Sequence, residues 1–92
     1  MEIDEELLDI VVAYLLSHGY HEESIILEWK ISDRYRVDLA ILDNKSKTPI
    51  ALFEFKRQRN QGTENMAMEQ LKTYSNVLGD KTIPCYIVFG LE

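Results

Sequence analysis

Two stretches, "RVDLAILD" (Arg36 to Asp43) and "IALFEFK" (Ile50 to Lys56), constrain the fold more than any other feature of the chain. Both read as strands, and neither alternates cleanly between apolar and polar. A strand with one wet face shows that alternation; a strand apolar on both faces has to be covered on both sides. A third run, "IPCYIVFG" from Ile83 to Gly90, is almost wholly apolar and reads the same way. The chain therefore needs a sheet with a layer on each face.

The layers come from two amphipathic segments. Between Asp4 and Ser17, apolar residues fall at Leu7, Leu8, Val11, Val12, Leu15 and Leu16, which is helical spacing with one buried stripe. Asp4 is the expected N-cap, Glu5 and Glu6 suit the positive end of the helix dipole, and Gly19 is the expected stop. A second helix is predicted from a Thr63 cap to about Leu78, with Ala67, Leu71, Tyr74 and Leu78 as its apolar face and Gly79 ending it. "SIILEWKI" (Ser24 to Ile31) is a further strand. Short polar links make the first three strands an antiparallel meander, and the helix before the fourth gives it a parallel partner. The prediction is an α/β domain of order α-β-β-β-α-β: a mixed four-stranded sheet with a helix on each face.

The chain is short enough for one domain and one core, at 92 residues. A net charge of −6 argues against coating nucleic acid by bulk charge, though not against a local basic strip on a site that binds cations. The single cysteine, Cys85, lies in an apolar run and reads as a structural thiol in a reducing compartment. There is no signal peptide at the acidic N-terminus and no run near the roughly 20 apolar residues of a membrane span, so a cytoplasmic location is expected. Leu91 and Glu92 can be read as a cloning scar; on that reading the chain is expected to be a fragment of something larger.

Charge on the two central strands is the informative exception. Asp38 shares a face with Arg36, Ala40 and Leu42; Glu54 and Lys56 share one with Ile50 and Leu52. Folding the hairpin about the middle of its turn sets Asp38 roughly opposite Phe55. If the register allows a common face, two carboxylates and an amine converge at the open end of the hairpin. Buried acids close together need neutralising, and one lysine balances only one of them. A hard cation such as Mg²⁺ prefers oxygen ligands, and a lysine beside it is placed to hold or deprotonate a water. The plainer reading is a structural ion pair at a strand end.

"VD" at 37–38 and "EFK" at 54–56, on the second and third strands of this order, resemble the PD-(D/E)XK nuclease superfamily, with Val37 in place of the usual proline. "QLKTY", Gln70 to Tyr74, is similar to the QxxxY motif of its RecB-type branch. "LLSHGY", "RVDLAI" and "PIALFEFK" together resemble most closely the N-terminal nuclease domain of type I restriction enzyme R (motor) subunits. The resemblance implies a restriction-endonuclease-like fold and Mg²⁺-dependent hydrolysis of DNA, with Mn²⁺ as a substitute. It implies metal on Asp38, Glu54 and the Phe55 carbonyl, and Lys56 acting on the attacking water. Gln70 and Tyr74 would line the site and contact nucleic acid, and a glutamate of the first helix would join the ligands. Glu5, beside the apolar stripe, is the candidate there. The implied partners are DNA, a helicase-like motor domain in the full-length chain and the other subunits of a restriction complex.

From the residues alone, the plainer reading of Gln70 is a glutamine reaching water from the edge of the stripe and of Tyr74 ordinary core, while Glu5 is equally an acid favoured by the helix dipole. Lys56, Arg57 and Arg59 form the one dense basic cluster, suited to steering phosphate or simply to a solvated loop end. Arg36 is a candidate for pairing with an acid or with phosphate. His18 and His21 read as surface residues, Trp29 as core or half-buried, and Glu28 and Lys30 as facing solvent or the neighbouring strand. No glycine-rich phosphate loop is present, so no motor is encoded in these residues. Two other function classes stay open: a non-catalytic nucleic-acid-binding or assembly module of the same fold, and a stand-alone dimeric nuclease of the resolvase kind.

Overall fold

The computed structural model describes residues 5–90. The elements run α1 (Glu5–Ser17), a 3-10 turn (Glu22–Ser24), β1 (Ile25–Lys30), β2 (Arg36–Leu42), β3 (Pro49–Lys56), α2 (Gln61–Leu78) and β4 (Cys85–Phe89). The sheet has strand order β1-β2-β3-β4, antiparallel as far as β3 and parallel between β3 and β4. This is the α-β-β-β-α-β order and mixed four-stranded sheet expected from the sequence. Asp4, Leu91 and Glu92 lie outside the described residues.

The two-sided burial of the central strands has two distinct partners. Leu39, Ile41, Ala51 and Phe55 pack with Leu15, and with Leu7, Leu8, Val11 and Val12 of the same helix, so α1 covers one face. Ala40, Leu42 and Leu52 pack with Leu71 and Tyr74, so α2 covers the other. Leu39, Ile41 and Leu52 are among the largest side chains with essentially no exposure, each contributing about 1.5–3 kcal/mol by leaving water. Leu16 is the exception to the expected α1 stripe, being left at the surface. α1 closes at Gly19, whose φ of +92° is open to glycine without strain.

α2 starts earlier than expected. Its N-cap is Asn60, not Thr63: Asn60 Oδ1 accepts from the Thr63 N–H, and Thr63 Oγ1 accepts from the Asn60 N–H, both at 3.0 Å. Thr63 is thus the inner half of a capping box, which satisfies two backbone donors at once. Gly79, with φ of +72°, ends the helix as expected.

The β2–β3 hairpin carries an irregularity that sets the site. Ile41 pairs with Ala51 but Leu42 pairs with Pro49, so Ile50 has no residue opposite it. Pro49 has no N–H to give a ladder, and a bulge accommodates it. The register inward of the bulge is Leu39↔Phe53. Carried one residue further, it sets Asp38 opposite Glu54, not opposite Phe55 as turn-midpoint counting gave.

Candidate active site

The ladder between β2 and β3 stops at Leu39↔Phe53. Beyond that pair, side chains take over from backbone. The Asp38 N–H donates to Glu54 Oε1 at 3.1 Å, and the Phe55 N–H donates to Asp38 Oδ2 at 2.8 Å. Each acid accepts an N–H of the opposite strand. The strands are held apart there without leaving buried donors unpaired.

The N–H and C=O of one strand residue project to the same side. Phe55 sends its N–H toward β2, so its carbonyl faces the same opening. The neighbouring carbonyl of Lys56 faces the other way and accepts from the Gly90 N–H at 2.8 Å. Gly90 is required at this contact, because a Cβ there would stand 2.9 Å from the Arg57 carbonyl oxygen.

Glu54 is 1% exposed and Lys56 8% exposed. Burial, and after it the charge of Asp38, pushes the Glu54 carboxyl up to about 7, against the opposing pull of the Asp38 N–H and of Lys56. Lys56 acts on Glu54 through space: among the described residues it has no carboxylate within ion-pair distance.

A cleft of about 270 Å³ opens over the Asp38–Glu54 pair, lined by Glu28, Arg36, Val37, Asp38, Glu54, Gln70 and Tyr74; Phe55 and Lys56 are not among its lining residues. The α2 residues expected to reach the site do so. Gln70 Oε1 is buried in the cleft wall with no hydrogen-bond partner. Tyr74 is 5% exposed and donates its hydroxyl to the Arg36 carbonyl at 2.9 Å. Burial and the nearby charges of Glu54 and Asp38 hold that phenol firmly neutral. It is a wall and a brace between α2 and β2, with no free face for nucleic acid.

Other predicted residues lie elsewhere. Glu5 is exposed on α1, the helix of the opposite face, and does not line the cleft. Arg57 and Arg59 are exposed on the loop after β3. Arg59 pairs with Glu64 at 2.7 Å and lies over the Phe89 ring, which ties it to α2 and β4. Arg36, expected to share the face of Asp38, is exposed and lines the cleft. His18 packs on Tyr14 and bonds its carbonyl at the end of α1, a surface role. Cys85 is half-buried, and burial pushes its thiol up, which keeps it inert.

Glu28 is the residue that strand periodicity missed. It was expected to face solvent or a neighbouring strand; it is exposed, but at the cleft. Its φ of +48° departs from strand geometry, which no alternation rule anticipates.

The class defined by fold and site is an α/β domain with a paired Asp–Glu and a buried lysine at the splayed end of a central hairpin. No family model, no curated protein and no solved structure matches the chain. Among the described residues, no helix is long and apolar enough to cross a membrane.

The donor set fits a hard divalent cation. The Asp38 and Glu54 carboxylates, the Phe55 carbonyl and the orphaned Gln70 Oε1 are all oxygens, as Mg²⁺ requires. Among the described residues, no three His, Cys, Asp or Glu side chains gather closely enough to hold an ion by themselves. Backbone, amide and water oxygens would complete the shell.

Proposed function

We propose that this chain is a divalent-metal-dependent nuclease module that hydrolyses DNA phosphodiester bonds, of the kind found in type I restriction enzyme R subunits. The observation that carries this reading is the exchange of strand N–H groups between the Asp38 and Glu54 carboxylates, which sets two acids side by side over a buried lysine. A structural ion pair does not account for it, since Lys56 is in ion-pair contact with neither acid.

Asp38, Glu54 and the Phe55 carbonyl would hold Mg²⁺. Bound there, the ion would balance the second negative charge and make water acidic enough to attack a phosphodiester. The N–H bonds to Asp38 and Glu54 fix both carboxylates in place before substrate arrives. Lys56, on the strand face of Glu54, orients the attacking water and moves its proton. Gln70 presents an amide oxygen toward the same space, and Tyr74 fixes the wall. Arg36, at the opening, meets the phosphate.

A chain of charge −6 with one exposed arginine at its cleft has little grip on duplex DNA at physiological salt. The grip would come from the motor domain and companion subunits. The test is duplex binding at low salt with and without Mg²⁺, in wild type and Asp38→Ala. The proposal requires Mg²⁺-dependent binding that the substitution removes, with weak cutting by the isolated domain. Binding indifferent to both Mg²⁺ and Asp38 would leave a nucleic-acid-binding module without a catalytic site.

A further inference from the structure

We infer that Glu28 supplies the third carboxylate of this site, an outer one that hydrogen-bonds water held by a divalent cation at the Asp38–Glu54 pair; the inference rests on the nuclease reading above. Leu27 pairs with Leu39 and Trp29 with Val37, so Glu28 falls opposite Asp38. The β2–β3 register sets Asp38 opposite Glu54. Three acids therefore form one row across three adjacent strands.

Two features of Glu28 oppose local stability. Like charges directly opposite across strands repel. A φ of +48° inside a strand is unfavourable for any residue with a Cβ. The other non-glycine residue with positive φ, Lys47, sits in the hairpin turn, where that conformation is ordinary. At Glu28 the departure accompanies a side chain that lines the cleft with Asp38, Glu54 and Gln70. Backbone strain of this kind clusters where a side chain has to be aimed.

The positive groups nearby do not satisfy it. Arg36 lines the same cleft and has no ion-pair partner among the described residues. Lys56 acts on Glu54. Among the described residues, Glu28, Asp38 and Glu54 do not form a three-acid ligand group, whereas Mg²⁺ retains several of its waters when protein-bound. A carboxylate one water away orients that shell. Gln70 Oε1, buried and without a hydrogen-bond partner, is a further oxygen acceptor on the wall of this cleft, outside the row of acids.

The experiment is Mn²⁺ titration by calorimetry, with thermal melts of the metal-free proteins, for wild type, Glu28→Gln, Glu28→Gly and Asp38→Ala. Glycine takes positive φ freely, so the Glu28→Gly variant keeps the fold while losing the carboxylate. The expected result is Mn²⁺ affinity reduced about tenfold or more in both Glu28 variants, with metal-free melting temperatures unchanged or raised. Wild-type affinity in both Glu28 variants, alongside loss in Asp38→Ala, overturns the role of Glu28 and leaves the nuclease reading standing. No Mn²⁺ binding by wild type, with or without a short duplex, overturns both.

Discussion

Asp38 gives its backbone N–H to the Glu54 carboxylate at 3.1 Å, while its own carboxylate takes the N–H of the residue that follows Glu54. The two strands exchange side-chain acceptors where a regular sheet would exchange carbonyls. This exchange opens the hairpin, and it fixes both acids without a cation. The same arrangement leaves negative charge in a buried place.

That buried charge makes stability depend on pH. The Glu54 carboxyl is raised from 4.5 to about 7 in the folded protein. Between those values the unfolded chain has released a proton that the folded chain retains, so stability falls as pH rises through the interval. The full effect is on the order of 3 kcal/mol. Urea unfolding of the metal-free domain should show higher stability at pH 5 than at pH 8. Glu54→Gln should flatten that dependence; an equally steep dependence in the variant would place its origin elsewhere. Cation binding needs the ionised carboxylate, so affinity should rise through pH 7 with release of a proton.

Lys56→Met keeps the aliphatic stem in its buried position and removes the charge. Nuclease activity in the assembled enzyme should drop by about 10²–10⁴-fold, the range for a positioned proton-transfer group. Because Lys56 pulls the Glu54 carboxyl downward, its removal should move that titration higher still. The carboxyl carbon shift of Glu54 followed by NMR against pH reads this directly. An unmoved titration would mean that the lysine does not sense the acid.

Tyr74→Phe removes the donor that the Arg36 carbonyl uses. The expected loss is about 1–3 kcal/mol of stability from one unsatisfied buried acceptor, read by chemical denaturation. Mn²⁺ affinity should stay near that of wild type, since the tyrosine braces the cleft and does not ligate.

Gly90→Ala sets a Cβ against the Arg57 carbonyl oxygen at 2.9 Å, a contact that backbone can relieve only by moving. About 1–3 kcal/mol should be lost, as for other forced overpacking. Asn60→Ala deletes the α2 cap and should lose about 1 kcal/mol. Thermal melts of each variant read these losses.

Much of the architecture was legible in advance, for physical reasons. Two-sided hydrophobicity of the central strands demanded helices on both faces, and the Ala67, Leu71, Tyr74 stripe supplied one of them. The common face of Asp38 and Glu54 followed from period two once the register was known. The register itself was not readable, because the bulge at Ile50 shifts pairing by a residue and its cause, Pro49, acts through a missing N–H. The αL backbone of Glu28 was invisible to any rule of alternation. Arg59 looked free in sequence, and its pairing with Glu64 and Phe89 arises only when α2 and β4 return beside the loop. Glu5 sits on a helix whose stripe turns toward the face that the site does not occupy.

The most direct test of the central claim is an NMR titration of the uniformly ¹⁵N-labelled domain with Mn²⁺, whose unpaired electrons broaden signals close to the ion. A cation at the Asp38–Glu54 pair should erase the amide signals of Asp38 and Phe55 first, and Asp38→Ala should restore the signals of the surrounding strand residues. Broadening confined to exposed acids such as Asp33 or Asp80, with Asp38 and Phe55 untouched, would contradict the account.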